Sequence, residues 1–492
     1  MTTPNISPSL NLSGIGQGYV GLVTAACLAD WGHGVTGIDA DPARLAACQA
    51  GNVPFHEPGL DALVSAGVES GRLAFSHGSP DLIRASDVIF VAVGTHDGNG
   101  GWQTATMLRC LQEIVPSIAH EAVLVIRSTL PPDFVRQLGE IVTDIRRNAG
   151  LEAITVMVNP EFTREGAAIH DFKQPERIVL GIAWDPDDRG VDRLRELYAR
   201  ADAPVLVMSA IDAAMAKLGS NLFLATKISF VNEYATLCDT FGATIDNVVA
   251  AMAYDSRIGG KFLRAGVGFG GSCLPHQVTM TVRAAGSAGV SSPLLAAVDE
   301  INHRRRSEIV ERLAKMMDRP VRKSRVALLG LTFKPQTDDL RDAPSLTIAR
   351  LLLDHGAHVV AWDPMPSARE RAEELVPGLM TTDRAEDAMS GADATAVITE
   401  WPDLRSVDWV AARQTVRGNA LFDGRNALDP EVIASAGFRY AAFGRGESGH
   451  MRPIRVHPTA DIPEHLLTTA PAPVERNADA PDEVDGAAKA MA

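Results

Sequence analysis

Gly16-Gln17-Gly18-Tyr19-Val20-Gly21, with Asp39 to follow, is the stretch whose reading decides the fold. Where such glycines join a strand to a helix, Gly16 permits the tight turn and Gly18 lets backbone approach a pyrophosphate. Gly21 then lets helix and strand pack closely. The helix start offers free amides and a partial positive charge to an anion. Asp39 stands 18 residues past the last glycine, after the apolar run Val35–Ile38. At a strand tip its carboxylate would accept hydrogen bonds from ribose hydroxyls and repel a 2′-phosphate. The motif therefore predicts an NAD site rather than an NADP site. The entering strand, Leu10-Asn11-Leu12-Ser13-Gly14-Ile15, is more polar than such strands usually are.

Outward from the motif, helical patterns alternate with strand candidates at Asp87–Val93, Ala122–Ile126, Ile154–Val158 and Arg177–Gly181. That alternation predicts a parallel sheet covered on both faces. From about 210 the pattern turns helical. Ile211–Phe241 has apolar residues at helical spacing and stops at Gly242. Ser292-Pro293 reads as an N-cap with proline at N1, opening a helix to about Met317. About 25 residues at 1.5 Å each span roughly 37 Å, enough to bridge two domains. Beyond it the first section is echoed twice in order. Leu28–Asp39 resembles Leu352–Asp363, and Ala85–Val93 parallels Gly391–Ile398. Two ordered echoes predict a second dinucleotide-type fold at about 323–450. The expected architecture is α/β: two Rossmann-like doubly wound domains, 1–208 and 321–452, joined by a central helical domain at 209–320 with a long bridging helix. Residues 453–492 are predicted to be a disordered tail, rich in Ala, Pro and acids toward their end.

The 492 residues are 46% hydrophobic, ample for real cores, and carry a formal charge of -15. Polyanions would be repelled, so neither nucleic acid nor an anionic membrane is an expected partner. A nucleotide held locally by amides and one or two cations is not excluded. The five cysteines form no CxxC pair, so no disulfide framework and no metal site is suggested. No apolar segment reaches about 18 residues and no basic-then-apolar leader opens the chain. These features predict a cytoplasmic protein.

Gly266-Val-Gly268-Phe269-Gly270-Gly271-Ser272-Cys273 is the most unusual stretch. Five small residues beside a cysteine suit backbone that approaches a ligand and donates amides around a thiolate. Lys217 and Asn221 are one helical turn apart, and Asn232, eleven positions on, returns to within about 20° of the same face. A Lys–Asn pair can stabilise an oxyanion. Asn159-Pro-Glu161-Phe162-Thr163-Arg164-Glu165-Gly166 follows a strand, where ligand loops sit, and either Glu could serve as base or orient water.

Together with Glu57–Leu60, Gly330–Ser345 and Asp423–Asn426, these segments resemble the UDP-glucose/GDP-mannose dehydrogenase family to about residue 450. Within it, the Ser256-Arg-Ile-Gly259 and Gly270–Cys273 forms resemble the UDP-glucose members, with GDP-mannose members left open. The resemblance implies a four-electron oxidation of a nucleotide-sugar C6 alcohol to a carboxylate by two NAD, in a homodimer. It gives Cys273 the nucleophile's role and Lys217 and Asn221 the oxyanions. Thr129 and Glu161 position water. It places Gly16, Gly18, Val20, Gly21, Asp39, Arg44, Thr95, Thr129, Glu165, His276 and Arg341 toward NAD. Toward the sugar nucleotide it places Glu161, Phe162, Thr163, Arg164, Lys217, Asn221, Phe262, Leu263, Gly266, Phe269, Gly270, Lys334 and Arg425. Arg257 reaches across a subunit interface. Three departures cluster near this site: Leu274-Pro275-His276-Gln277 where the family has a Lys-Asp ending, His96 after Thr95 where it has Pro, and Thr163. Gln277 cannot accept a proton. Readings left open are a working dehydrogenase, a slowed or altered member that binds the sugar nucleotide, and a two-electron enzyme that stops at the aldehyde.

Overall fold

In a computed structural model of the chain, residues 9–96 and 101–445 are described. The tail expected at 453–492 and part of the His96–Gly101 departure lie outside them. The chain divides into two compact units. Of the described residues, one gathers those up to Ala225, Gly270–Asp299 and Thr332–Ala343; the other gathers Thr226–Phe269, Glu300–Leu331 and those from Pro344 on. The long helices Ala210–Phe241 and Pro293–Met316 each contribute residues to both.

The first unit is built on eight strands: β1 (Asn11–Ile15), β2 (Gly34–Ile38), β3 (Leu73–Ser76), β4 (Val88–Val91), β5 (Val123–Ile126), β6 (Thr155–Val158), β7 (Ile178–Trp184) and β8 (Val205–Ser209). Their order is β3-β2-β1-β4-β5-β6-β7-β8. Central strands β4, β5 and β6 are buried along their whole length, as expected of a sheet covered on both faces. The polar residue in the entering strand is accommodated: Ser13 is buried, and its hydroxyl lies 2.7 Å from that of Ser86.

One expectation needs correcting. The sheet is not wholly parallel, because β7 runs antiparallel to β6. Between them the chain forms the Asn159–Gly166 loop and only a six-residue helix, Ala168–Lys173, instead of a crossover helix that would carry it back to a parallel start. The short strands β3 and β8 were not foreseen, and β8 gives little signal because its side chains are partly or largely exposed.

The second unit holds six strands: β9 (Arg325–Leu329), β10 (His358–Trp362), β11 (Met380–Thr382), β12 (Ala394–Val397), β13 (Ala420–Asp423) and β14 (Arg439–Ala442). All pair in parallel in the order β11-β10-β9-β12-β13-β14. This is the order of β1–β6 in the first sheet, so the sequence echo corresponds to a repeated doubly wound topology. Both helix expectations hold within a residue: Ala210–Phe241 ends before Gly242, whose φ is +73°, and Pro293–Met316 starts at its proline. Among the described residues no helix is long and apolar enough to cross a membrane.

Candidate active site

The glycine turn follows from backbone geometry. Gly16 has φ +87°, and a Cβ there would meet the Ala92 carbonyl oxygen at 2.8 Å. A Cβ on Gly21 would stand 1.8 Å from the Gly16 carbonyl oxygen, so only glycine lets the helix Tyr19–Asp30 start this close to β1. Gly18 is different: a Cβ there would meet nothing within 4 Å. Open space therefore faces the helix N-terminus, as a pyrophosphate requires.

Asp39 closes the turn, accepting hydrogen bonds from the amides of Gln17 at 2.6 Å and Asp41 at 2.9 Å. Arg44 donates to it at 3.0 Å. Burial would raise its carboxyl, but these donors hold it below the usual range. A permanent anion at this tip fits a dinucleotide with free ribose hydroxyls. Thr95 donates its hydroxyl to the Thr129 carbonyl at 2.6 Å, joining the loops after β4 and β5.

The nucleophile candidate sits at the start of the helix Leu274–Ser287. Gly271, with φ +81°, allows the approach of the Phe333 ring, which a Cβ would meet at 2.9 Å. The Gly271 amide donates to the Arg341 carbonyl at 2.8 Å, tying the cysteine loop to the 332–343 segment. Cys273 is exposed, with the Ser272 hydroxyl 3.7 Å from its sulfur. The protein packed around its other sides pushes the thiol up, and the Glu161 charge adds to this; Lys217 opposes both.

Glu161 and Lys217 form a buried ion pair at 2.9 Å. The other Glu161 oxygen accepts from the Thr163 amide at 2.8 Å and the Thr163 hydroxyl at 2.6 Å. Burial would raise this carboxyl, but Lys217 and Thr163 outweigh it and keep the group ionised. Thr163, a departure, thus serves as a second donor to Glu161. The Phe162 ring lies under the Arg177 guanidinium at 3.9 Å and 5.3 Å from the Lys217 ammonium.

Glu165 occupies a harsher setting. Arg341 donates to it at 3.0 Å and to Asp339 at 2.7 Å. Its second oxygen is buried without a hydrogen-bond partner. Burial, then the Asp339 charge, push its carboxyl up to about 7 against the pull of Arg341 and Lys334. Lys334 is pushed down by burial, and the Glu165 charge opposes this.

One expected residue of the first unit does not join the cluster through its side chain. Arg164 is exposed and forks onto Asp171 at 2.8 and 2.7 Å. Arg257, in the second unit, is exposed and paired with Asp255. That unit gathers others of the set by itself. Asn232 accepts the Gly266 amide at 2.8 Å, and the Arg425 guanidinium donates to the Gly268 carbonyl at 3.0 Å. Leu263, Gly266 and Phe269 are buried there, whereas Phe262 is 38% exposed with φ +65°. Gly270 is buried in the first unit.

Comparison with known proteins fits this geometry along almost the whole described chain. Residues 10–202 match the NAD binding domain of the UDP-glucose/GDP-mannose dehydrogenase family, 212–304 its central domain and 327–430 its UDP binding domain. The chain belongs to the UDP-glucose/GDP-mannose dehydrogenase family. A UDP-glucose 6-dehydrogenase of Rhizobium meliloti (strain 1021) is 38% identical over 89% of this chain and 100% of its own length. One from Pseudomonas aeruginosa is 37% identical over 90% of this chain and 99% of its own. A UDP-glucose dehydrogenase structure from the archaeon Pyrobaculum islandicum superposes with TM-score 0.81 at 33% identity, covering 90% of this chain and all of that one.

Against this dehydrogenase family the departures acquire physical content. Gln277 is buried, and its carbonyl oxygen accepts from Asn221 at 3.0 Å. An amide can hold Asn221 in place but cannot accept a proton. His276 packs edge-on against His96 with ring centres 5.4 Å apart, so two departures touch each other. Its Nδ1 is buried without a partner. Sequence reading passed over Asp339 and the bonds of Glu57, which lie in quoted motifs but show no periodicity that marks them.

Proposed function

We propose that this chain is an NAD-dependent UDP-glucose 6-dehydrogenase that converts the C6 alcohol of UDP-glucose to UDP-glucuronate. The single observation that carries the reading is Cys273 held at a helix start within the field of the buried Lys217–Glu161 pair. The relatives named UDP-glucose 6-dehydrogenase support the substrate.

NAD, when bound, supplies the hydride acceptor for each of two oxidations. Gly16, Gly18, Val20, Gly21, Asp39, Arg44, Thr95, Thr129, Glu165, His276 and Arg341 are the residues proposed to hold it. Cys273 rests as a thiol and adds to the C6 aldehyde; its proton passes to the carbonyl oxygen as the C–S bond forms. This retains a C–H on the captured carbon for the second oxidation, which leaves a thioester. Lys217 and Asn221 stabilise the oxyanions. Glu161, ionised, and Thr129 orient the water that breaks the C–S bond, sulfur regaining its proton as the carboxylate leaves. Phe162, Thr163, Arg164, Lys334 and, in the second unit, Phe262, Leu263, Gly266, Phe269 and Arg425 are proposed for the sugar nucleotide, with Gly270. The domain division 1–208, 209–320 and 321–452, a homodimer completed by Arg257, and a cytoplasmic location belong to the same proposal.

A substrate panel tests it. Purified protein with NAD is offered UDP-glucose, GDP-mannose and UDP-N-acetylhexosamines, and acids are identified by mass. UDP-glucuronate as the dominant product is expected; oxidation of another sugar in preference would overturn the assignment.

A further inference from the structure

Glu57 is 1% exposed, yet it forms no ion pair among the described residues. One oxygen accepts the Ala168 amide at 2.8 Å. The other accepts the Gly166 amide at 2.6 Å and the Tyr19 hydroxyl. Three neutral donors thus satisfy a buried carboxylate, and each comes from a segment that matters to the site. Tyr19 opens the helix that follows Gly18. Gly166 ends the loop that carries Glu161 and Glu165, and Ala168 opens the short helix that follows.

The neighbours of Glu57 extend the link. Tyr19 packs on Phe55 with ring centres 5.0 Å apart. The His56 amide donates to Asp338 at 3.1 Å, in the 332–343 segment that bears Lys334 and Arg341. A Cβ on Gly166 would meet the Gln336 carbonyl at 2.8 Å, so the two loops are in close contact. The segment 55–57 therefore touches the dinucleotide helix, the two-glutamate loop and the lysine–arginine segment within one unit.

The geometry points to Glu57 as a positioning residue: through Tyr19 it couples occupancy of the glycine-motif helix to the order of the Glu161–Gly166 loop. Tyr19 cannot shift with an arriving dinucleotide without moving a carboxylate that fixes the amide ending that loop and the amide opening the helix after it. The inference rests on the NAD site and on no particular sugar.

Amide hydrogen exchange over residues 161–168, with and without NAD and with no sugar present, tests it. NAD is expected to slow exchange in the unmodified protein about threefold or more, and Tyr19→Phe is expected to abolish most of that slowing. Glu57→Gln is expected to speed exchange at Gly166 and Ala168 about 10-fold or more even without NAD. With UDP-glucose and NAD, Tyr19→Phe is expected to lower kcat about three- to tenfold at saturating NAD. A merely structural role would lower the melting temperature and leave that kcat intact. Equal NAD-induced protection in Tyr19→Phe and unmodified protein would overturn the coupling, as would no protection in either. Failure to oxidise UDP-glucose would strike the substrate assignment alone, because the exchange readout needs no turnover.

Discussion

The first six strands of the first sheet and the six of the second share one topology, yet the acid at the tip of the second strand meets opposite fates. Asp39 follows β2 and Asp363 follows β10. Each takes an amide from the turn after the opposite strand: Gln17 donates to Asp39 at 2.6 Å, Leu331 to Asp363 at 2.8 Å. Each turn glycine donates to the last residue of the second strand, Gly16 to Ile38 and Gly330 to Trp362. The difference lies in the remaining lone pairs. Asp39 meets Arg44, whose side chain is 35% exposed and free to yield to a ligand. Asp363 meets the Trp401 indole at 3.0 Å inside the core, and nothing of it is exposed. The same fold thus sets a partly exposed arginine against the acid at one tip and a buried indole against it at the other.

That contrast is open to attack, and the largest effect belongs to the tip with the indole. Asp363→Ala strands the Leu331 amide and the indole in the core, so urea unfolding should show a loss of about 3–5 kcal/mol. NAD affinity should hardly change. If NAD binding fell and stability held, the two acids would be doing the same work.

Glu165 extends the contrast, since the first unit leaves a buried carboxylate short of partners. Its carboxyl is raised from the usual 4.5 to about 7 by burial and Asp339. The folded protein therefore binds this proton more tightly than the unfolded chain. The stability associated with it is fully present below pH ~4.5 and is lost as pH rises through ~7. Glu165→Gln should gain on the unmodified protein by about 3 kcal/mol between pH 4 and pH 8. Parallel stability curves for the two proteins would remove Glu165 from this account.

Gly21→Ala attacks the Asp39 tip through its turn. The added Cβ cannot avoid the Gly16 carbonyl, so the helix must retreat, and NAD affinity should fall by at least about 100-fold by calorimetry. Asp39→Ala is milder: about 10-fold weaker NAD binding, with NADP gaining on NAD as repulsion of the 2′-phosphate disappears. Unchanged discrimination between the two cofactors would mean that Asp39 does not face the ribose.

Much of this is legible in the sequence. GxGxxG with a distant acid has a fixed geometry, so strand, turn, helix and Asp39 could be placed from spacing alone. The echo at Leu352–Asp363 told the topology of the second sheet. It could not tell that Trp401 would occupy the tip, because that contact joins residues 38 apart with no shared pattern. The reversal of β7 escaped for a similar reason: hydrophobic alternation carries no strand direction. Lys217 and Asn221 were legible from helical spacing, but their partners Glu161 and Gln277, each 56 residues away in sequence, were not paired with them in advance. The Glu57 bonds to Gly166 and Ala168, spanning 109 and 111 residues, leave no local trace at all.

The central claim is that one cysteine retains the aldehyde for a second oxidation, and counting NADH per UDP-glucose consumed tests it most directly. Two NADH per sugar are expected from the unmodified protein, with UDP-glucuronate as product, and no UDP-glucuronate from Cys273→Ala. One NADH per sugar from the unmodified protein, or two from Cys273→Ala, would contradict the account.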